Sequence, residues 1–302
     1  MKNKTRVVLN LDAVIVAVTR HHPRILTVSA KQNLPAIPSG PLHREDATLE
    51  RSLRGWIEEQ TGIEVGYVEQ LYTFGDIQRG LPGAPNNPRS ISVAYLALIT
   101  EEHPTTSSAS WINWYELFPW EDHRNGIPDI LTKHLRPALA TWAGNNAERN
   151  ERVITAFGSD NRWDGMRVLE RYELLYEAGL VKETSTRDAL PESISGVPMA
   201  FDHRRIASTA LGRMRGKLTY RPVVFELLSD TFTLLTLQRT VEAIAGVPLH
   251  KQNFRRLVER TRLVEGTGQR TNSPAGRPAE LFRFRSEVLL ERPRTGIGVP
   301  YR

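Results

Sequence analysis

The chain has 302 residues, 40% of them apolar, with six tryptophans and no cysteine. That composition supports buried cores and excludes wholesale disorder, a disulfide framework and thiolate metal or redox chemistry. The net charge of +6 is unevenly placed: from His203 to Arg302 there are 19 lysines and arginines against 8 acids, and the first 202 residues hold 21 against 26. An acidic front joined to a basic final hundred predicts a division of labour, the basic part facing a polyanion. The plainer alternative is a basic surface that serves solubility alone.

The run after Met1 contains Asn10 and Asp12 and lacks a small-residue cleavage pattern, so it reads as a strand and not a leader. No apolar stretch approaches the roughly 20 residues needed to cross a bilayer. The expectation is a soluble, cytoplasmic protein. "DAVIVAVT" (12–19) and "RILTVS" (24–29) are β-branched runs separated by a turn with Pro23, and "LPAIPSGP" (34–41) is loop punctuation. In "EDATLERSLRGWIEEQTG", Leu49, Leu53, Trp56 and Ile57 fall at helical spacing before Gly62. Strands follow at 67–75 and 90–99, divided by a Gly- and Pro-rich loop of a length that usually carries function.

The middle of the chain predicts helices in "LTKHLRPALATWAGNN" and from Asp164 to Gly179, the latter with Val168, Leu169, Tyr172, Leu175 and Tyr176 as its apolar face. Residues 182–198 have the composition of a surface loop or linker. A helix over 233–246 ended by Gly246, a second over 249–261 with Phe254, Leu257 and Val258 inward, and two short strands around "QRTNSPAGRP" predict a winged helix-turn-helix. The fold class is α+β: a mixed-sheet domain over 1–140, a helical linker or dimerisation segment over 141–202, and a winged helix over 203–302.

On the helix 249–261, His250, Lys251, Gln252, Asn253, Arg255, Arg256 and Arg260 are candidate DNA contacts, concentrated in the turns that a recognition helix inserts into the major groove. Gln and Asn suit adenine edges, Arg suits guanine, and the other cations suit phosphates. The intervening loop adds Arg270, Thr271, Asn272 and Arg277, with "GRP" (276–278) shaped for a narrow minor groove. The alternative is a solvated basic face.

The segment from Gly40 to Ile63 resembles a Nudix box. Aligned on Gly62, the three carboxylate positions that hold divalent metal against a diphosphate fall on Trp56, Glu59 and Gln60; the box arginine falls on Gly55 and the upstream glutamate on Ala47. Only Glu59 is kept as a vestigial metal ligand, and Glu58 points about 100° around the helix from it. No second carboxylate remains on that face to activate water, so no catalytic residue is assigned.

Along both ends, "QLYTFGD", "SVAYLALI" and "TFTLLTLQRTVEAIAG…NFRRLVERTRLVEGTG…AGRPAELFRFR", the chain resembles the Nudix-related transcriptional regulators of NAD metabolism, the NrtR family. "PWEDHRNGIPDIL" and "ERYELLYEAGLV" resemble its NadQ branch, which represses NAD synthesis genes. The resemblance implies a repressor of NAD biosynthesis or salvage genes. Its partners would be double-stranded operator DNA, bound as a homodimer, and an effector such as NAD, ADP-ribose or another adenine nucleotide, with no required cofactor. The alternative is a Nudix-type nucleoside-diphosphate hydrolase with a nucleic-acid-binding appendage. For the nucleotide, Arg79 and Arg89 are cations of the long loop, and Tyr72, Phe74 and Trp120 are aromatics that could stack a base. Core aromatics and surface arginines are the other reading of the same five residues.

Overall fold

The computed structural model describes residues 7–76, 89–158, 163–184, 189–219, 221–271 and 278–287. The N-terminal sheet is built around β1 (Val7–Thr19), with β2 (His22–Ser29), β3 (Pro35–Ala36), β4 (Ser39–Pro41), β5 (Tyr67–Phe74), β6 (Arg89–Leu98) and β7 (Ala109–Asn113). The order is β3-β2-β1-β6-β5, with β4 also on β1 and β7 on β2; β1 and β6 run parallel and the other pairs antiparallel. The sheet is mixed, as the sequence predicts. The stretch read as loop at 34–41 contributes β3 and β4, two strands too short to show an alternating pattern.

β1 is covered on both faces, which is why it reads as a continuous apolar run. Leu11, Ala13 and Ile15 meet Leu53 and Ile57 of α1 (Leu49–Thr61), while Val14 and Val16 face a layer of later helices. Thr48 caps α1 by accepting from the Arg51 amide, and Gly62 ends it.

The helical layer comprises α2 (Trp114–Leu117), α3 (Arg136–Ala143) continuing a π-turn at Leu131–Leu135, α4 (Ala147–Phe157), α5 (Val168–Glu177), α6 (Glu192–Ser195) and α7 (His203–Leu218). After it come α8 (Leu234–Ala245), α9 (Lys251–Thr261), β8 (Val264–Arg270) and β9 (Glu280–Phe284), with Phe232 bridging Phe282 as a short third strand. This is a winged helix-turn-helix. Val14, Trp120, Tyr172, Leu211, Val241 and Phe254 all belong to one apolar cluster, so a single core runs from the sheet through α5 and α7 into the winged helix.

Two expectations change here. Within the stretch 182–198, residues 189–198 are tied into the fold: Val197 donates to the Glu116 carbonyl, the Ser195 carbonyl accepts from Arg204, and Ser195 is buried. The helix proposed for dimer contact begins at Val168, four residues past Asp164, whose carboxylate instead accepts from the Met166 amide. Of the predicted apolar face, Val168, Tyr172 and Leu175 are buried within the same protomer, and Leu169 and Tyr176 are half-buried.

Candidate nucleic-acid interface and nucleotide-binding domain

Helix α9 folds as a helix because Phe254 and Val258, one turn apart, are its buried positions and Leu257 is half-buried beside them. Everything that remains is polar. Lys251, Gln252, Asn253, Arg255, Arg256 and Arg260 are exposed, as is His250 at the N-cap, which makes no side-chain capping bond. No acid lies in the first turn, so the positive end of the helix dipole adds to the cations there. Asn253 and Arg256 are coupled: the guanidinium donates to the Asn253 Oδ1 at 2.7 Å.

The turn that aims this helix is held by two buried side chains of α8. Glu242 Oε1 accepts from the Leu249 amide and from Gln238 Nε2, both at 2.9 Å, and Gln238 Nε2 also donates to the Leu249 carbonyl at 2.9 Å. Sequence reading missed this pair, although Gln238 and Glu242 stand one helical turn apart on the side facing α9. In the wing, Arg270 is exposed at the end of β8. Thr271 is half-buried and closes the ladder, its amide donating to the Ala279 carbonyl and its hydroxyl accepting from the Ala279 amide. Asn272 and Arg277 lie outside the described residues.

The basic balance after His203 divides in two. α7 carries Arg204, Arg205, Arg213, Arg215 and Lys217 and no acid. Four of them pair with carboxylates, Arg204 with Glu183, Arg205 with Asp76 and Glu173, Arg215 with Glu121 and Lys217 with Glu69, while Arg213 is exposed and reaches the Leu71 carbonyl. The charge of α7 therefore neutralises carboxylates of the rest of the chain. On α9 and the wing the cations Lys251, Arg255, Arg256, Arg260 and Arg270 are exposed.

Substituting Asn253 or Arg256 by alanine is expected to cost about 1–3 kcal/mol of operator discrimination without unfolding the protein, since both are exposed. Fluorescence anisotropy against matched and mismatched duplexes checks this, and wild-type discrimination in both variants would remove α9 from base readout.

At the Nudix-box positions the structure shows what replaced the carboxylates. Trp56 donates from its indole nitrogen to the Pro41 carbonyl at 2.8 Å and stacks on His43 at 4.7 Å. Gln60 bonds the Ser39 backbone twice, accepting from its amide at 3.1 Å and donating to its carbonyl at 2.7 Å. Both side chains fasten α1 to β4. Glu59 is exposed, and among the described residues no group of three or more His, Cys, Asp or Glu could hold a metal. Of the three positions aligned with a Nudix box's metal-holding carboxylates, one, Glu59, carries a carboxylate.

Four of the five candidate nucleotide residues are described, and these four do not form one site. Tyr72 is 57% exposed, and Arg89 is exposed with its guanidinium on the Gly75 carbonyl at 2.8 Å; the two flank the ends of β5 and β6. Phe74 is buried, with Tyr72 packed edge-on at 5.1 Å and the Arg205 guanidinium over its ring at 5.3 Å, so it has no face left for a base. Trp120 is fully buried in the core between Phe118 and Arg204, and the stacking role is withdrawn. Arg79 lies outside the described residues. Arg205 and Asp76, paired at 2.5 Å beside Phe74, were not legible from spacing.

The molecule is thus a Nudix-like sheet domain sharing a core with a winged helix-turn-helix. Residues 224–284 match the model of the NrtR DNA-binding winged helix domain. The chain is 37% identical over 86 residues to the ADPR responsive transcriptional repressor NtrR of Acinetobacter baylyi, a match spanning 28% of this chain and about a third (34%) of that relative. Its fold is similar to that of Shewanella oneidensis NrtR in complex with a 27mer DNA, with a TM-score of 0.58 at 22% identity, covering 94% of this chain and 96% of the other. It is also similar to a MutT/nudix family protein from Enterococcus faecalis, with a TM-score of 0.57 at 18% identity, covering 94% and 89%. Residues 224–284 thus match an NrtR winged helix, and the fold as a whole is similar to that of a Nudix-like domain carrying one.

Proposed function

We propose that this protein is a transcriptional repressor of NAD biosynthesis or salvage genes, in which a catalytically degenerate Nudix-like domain senses ADP-ribose or another NAD-related nucleotide. The observation that carries the reading is α9: a helix anchored by Phe254 and Val258 whose other positions present Lys251, Gln252, Asn253, Arg255 and Arg256 outward. The relative named as ADPR responsive supports the choice of ADP-ribose. Residues 1–140 serve as the sensing part, 141–202 as the connecting part and 203–302 as the DNA-binding part, whose first helix, α7, packs on β1, β5, α5 and α8. The working form is a cytoplasmic homodimer, since two-fold proteins read two-fold operators and one winged helix covers few base pairs.

The hydrolase alternative needs carboxylates where Trp56 and Gln60 are committed to the β4 backbone, and this disfavours it. Selection of binding sequences from a random duplex library tests the main reading, with two-fold symmetric half-sites expected. Rapid magnesium-dependent turnover of ADP-ribose with no sequence selected would reverse the two. Of the nucleotide residues, Tyr72→Ala combined with Arg89→Ala is expected to weaken ADP-ribose binding at least tenfold by calorimetry, through loss of a stacking ring and a phosphate-directed fork. Unchanged affinity would place the nucleotide elsewhere on the domain.

A further inference from the structure

The last carbonyls of a helix have no partner inside it and are usually satisfied by water or by the residues that follow. Those at the end of α8 are satisfied by groups from elsewhere in the fold. The Tyr115 hydroxyl donates to the Ala243 carbonyl at 2.7 Å, Arg215 Nε to the Ile244 carbonyl at 3.0 Å, and the His123 amide to the Gly246 carbonyl at 2.7 Å. The guanidinium lies at the negative end of the helix dipole, which favours it there. Arg215 is itself fixed by Glu121, whose carboxylate it shares with Arg171; all three side chains are fully buried. Contact is tight enough that a Cβ on Gly246 would lie 2.5 Å from both Arg215 Nη2 and the Glu121 carbonyl oxygen.

We propose that Tyr115, Arg215 and the His123 amide are positioning groups of the DNA-reading head: by holding the C-terminal carbonyls of α8 they fix the angle at which α9 is presented. The inference rests on α9 being the DNA-contacting element. α8 and α9 are joined through the Gln238–Glu242 staple, so a tilt of α8 carries α9 with it. Tyr115 and the His123 amide, both within residues 1–140, thereby hold the reading head by main-chain carbonyls together with Arg215 of α7, a contact that any sequence of α8 compatible with a helix would keep.

The absence of cysteine allows a clean distance measurement in the full chain. Spin labels at Glu58→Cys on α1 and Glu259→Cys on α9, both exposed, report the separation of the two ends by pulsed electron resonance. Tyr115→Phe and Gly246→Ala are expected to broaden or shift the distance distribution, and Tyr115→Phe to weaken operator binding about fivefold, the scale of one lost hydrogen bond. Gly268→Ala is the control. Its φ of +75° matches the +73° of Gly246, but an added Cβ there meets nothing within 4 Å, so it is expected to leave the distribution as in wild type. A wild-type distribution in both Tyr115→Phe and Gly246→Ala overturns the proposal, and so does equal broadening in the control. Should Gly246→Ala fail to fold, Tyr115→Phe alone decides. A wild-type chain that selects no duplex sequence overturns the functional reading and leaves the distance result standing.

Discussion

Glu121→Ala is expected to cost on the order of 3–5 kcal/mol of folding stability, because it leaves two guanidiniums buried without their counter-charge. The side chains of Glu121, Arg171 and Arg215 all have 0% exposure, and the carboxylate takes 2.5 Å contacts from each arginine. Burial alone would raise the Glu121 carboxyl, but the adjacent Arg171 and Arg215 hold it below the usual carboxylate range, so it is charged in the folded protein. Stability typical of a domain is only about 5–15 kcal/mol, so the loss is a large part of the whole. The exposed pair Arg152–Glu177, with side chains 43% and 46% accessible, provides the comparison. Glu177→Ala should cost less than about 1 kcal/mol, since solvent screens the pair and few groups are desolvated. Urea denaturation of the two variants decides it. Equal midpoints would mean that burial does not set the worth of these ion pairs.

The second large effect is acid sensitivity. His123 is buried, stacked on Trp163 at 4.2 Å, and its Nε2 lies 3.1 Å from the Trp120 carbonyl. Burial outweighs the pull of Glu121 and pushes the imidazole down to about 4 from an ordinary 6.5. A histidine depressed in the folded state binds its proton more readily once unfolded. Its contribution is therefore complete above about pH 6.5 and is lost as pH falls from there to about 4, an amount on the order of 3 kcal/mol. Glu121 adds a loss at lower pH, as its depressed carboxyl begins to protonate. The variant His123→Gln should flatten the dependence of the urea midpoint between pH 7 and 4. An unaltered slope would assign the acid sensitivity to other groups.

The winged helix was legible because its local signals agree with its tertiary role. Thr233 caps α8, Gly246 ends it in the left-handed region, and Phe254 and Val258 mark the one buried face of α9. The central strands were equally readable, since β1 and β6 are apolar along most of their length. α7 was not legible. Its buried face mixes Ile206, Leu211 and Met214 with Arg204, Ser208 and Arg215, so charged residues occupy positions that periodicity reserves for apolar ones. Each becomes acceptable only through a partner far away in sequence: Glu183 for Arg204, Glu121 for Arg215. β7 was missed because only Ala109 of its five residues is buried, so no alternation of buried and exposed positions marks it. At the candidate site, exposure decided what spacing could not. An aromatic within a strand reads the same whether it is open, like Tyr72, or filled on both sides, like Phe74.

The measurement that bears most directly on the whole account is operator affinity with and without nucleotide, at fixed salt because phosphate contacts make binding steeply salt-dependent. A nucleotide can act only through different affinities for the DNA-competent and DNA-incompetent arrangements, and couplings of this kind are typically about 5–150-fold. Anisotropy of a labelled duplex carrying the selected operator, titrated with the full chain in zero and saturating ADP-ribose, is predicted to show a shift of that order. Calorimetry of ADP-ribose into the DNA complex should show the same factor from the other side. Equal operator affinity in saturating ADP-ribose, NAD, NADH and nicotinamide mononucleotide would contradict the account, leaving a winged helix that binds DNA with no sensor attached to it.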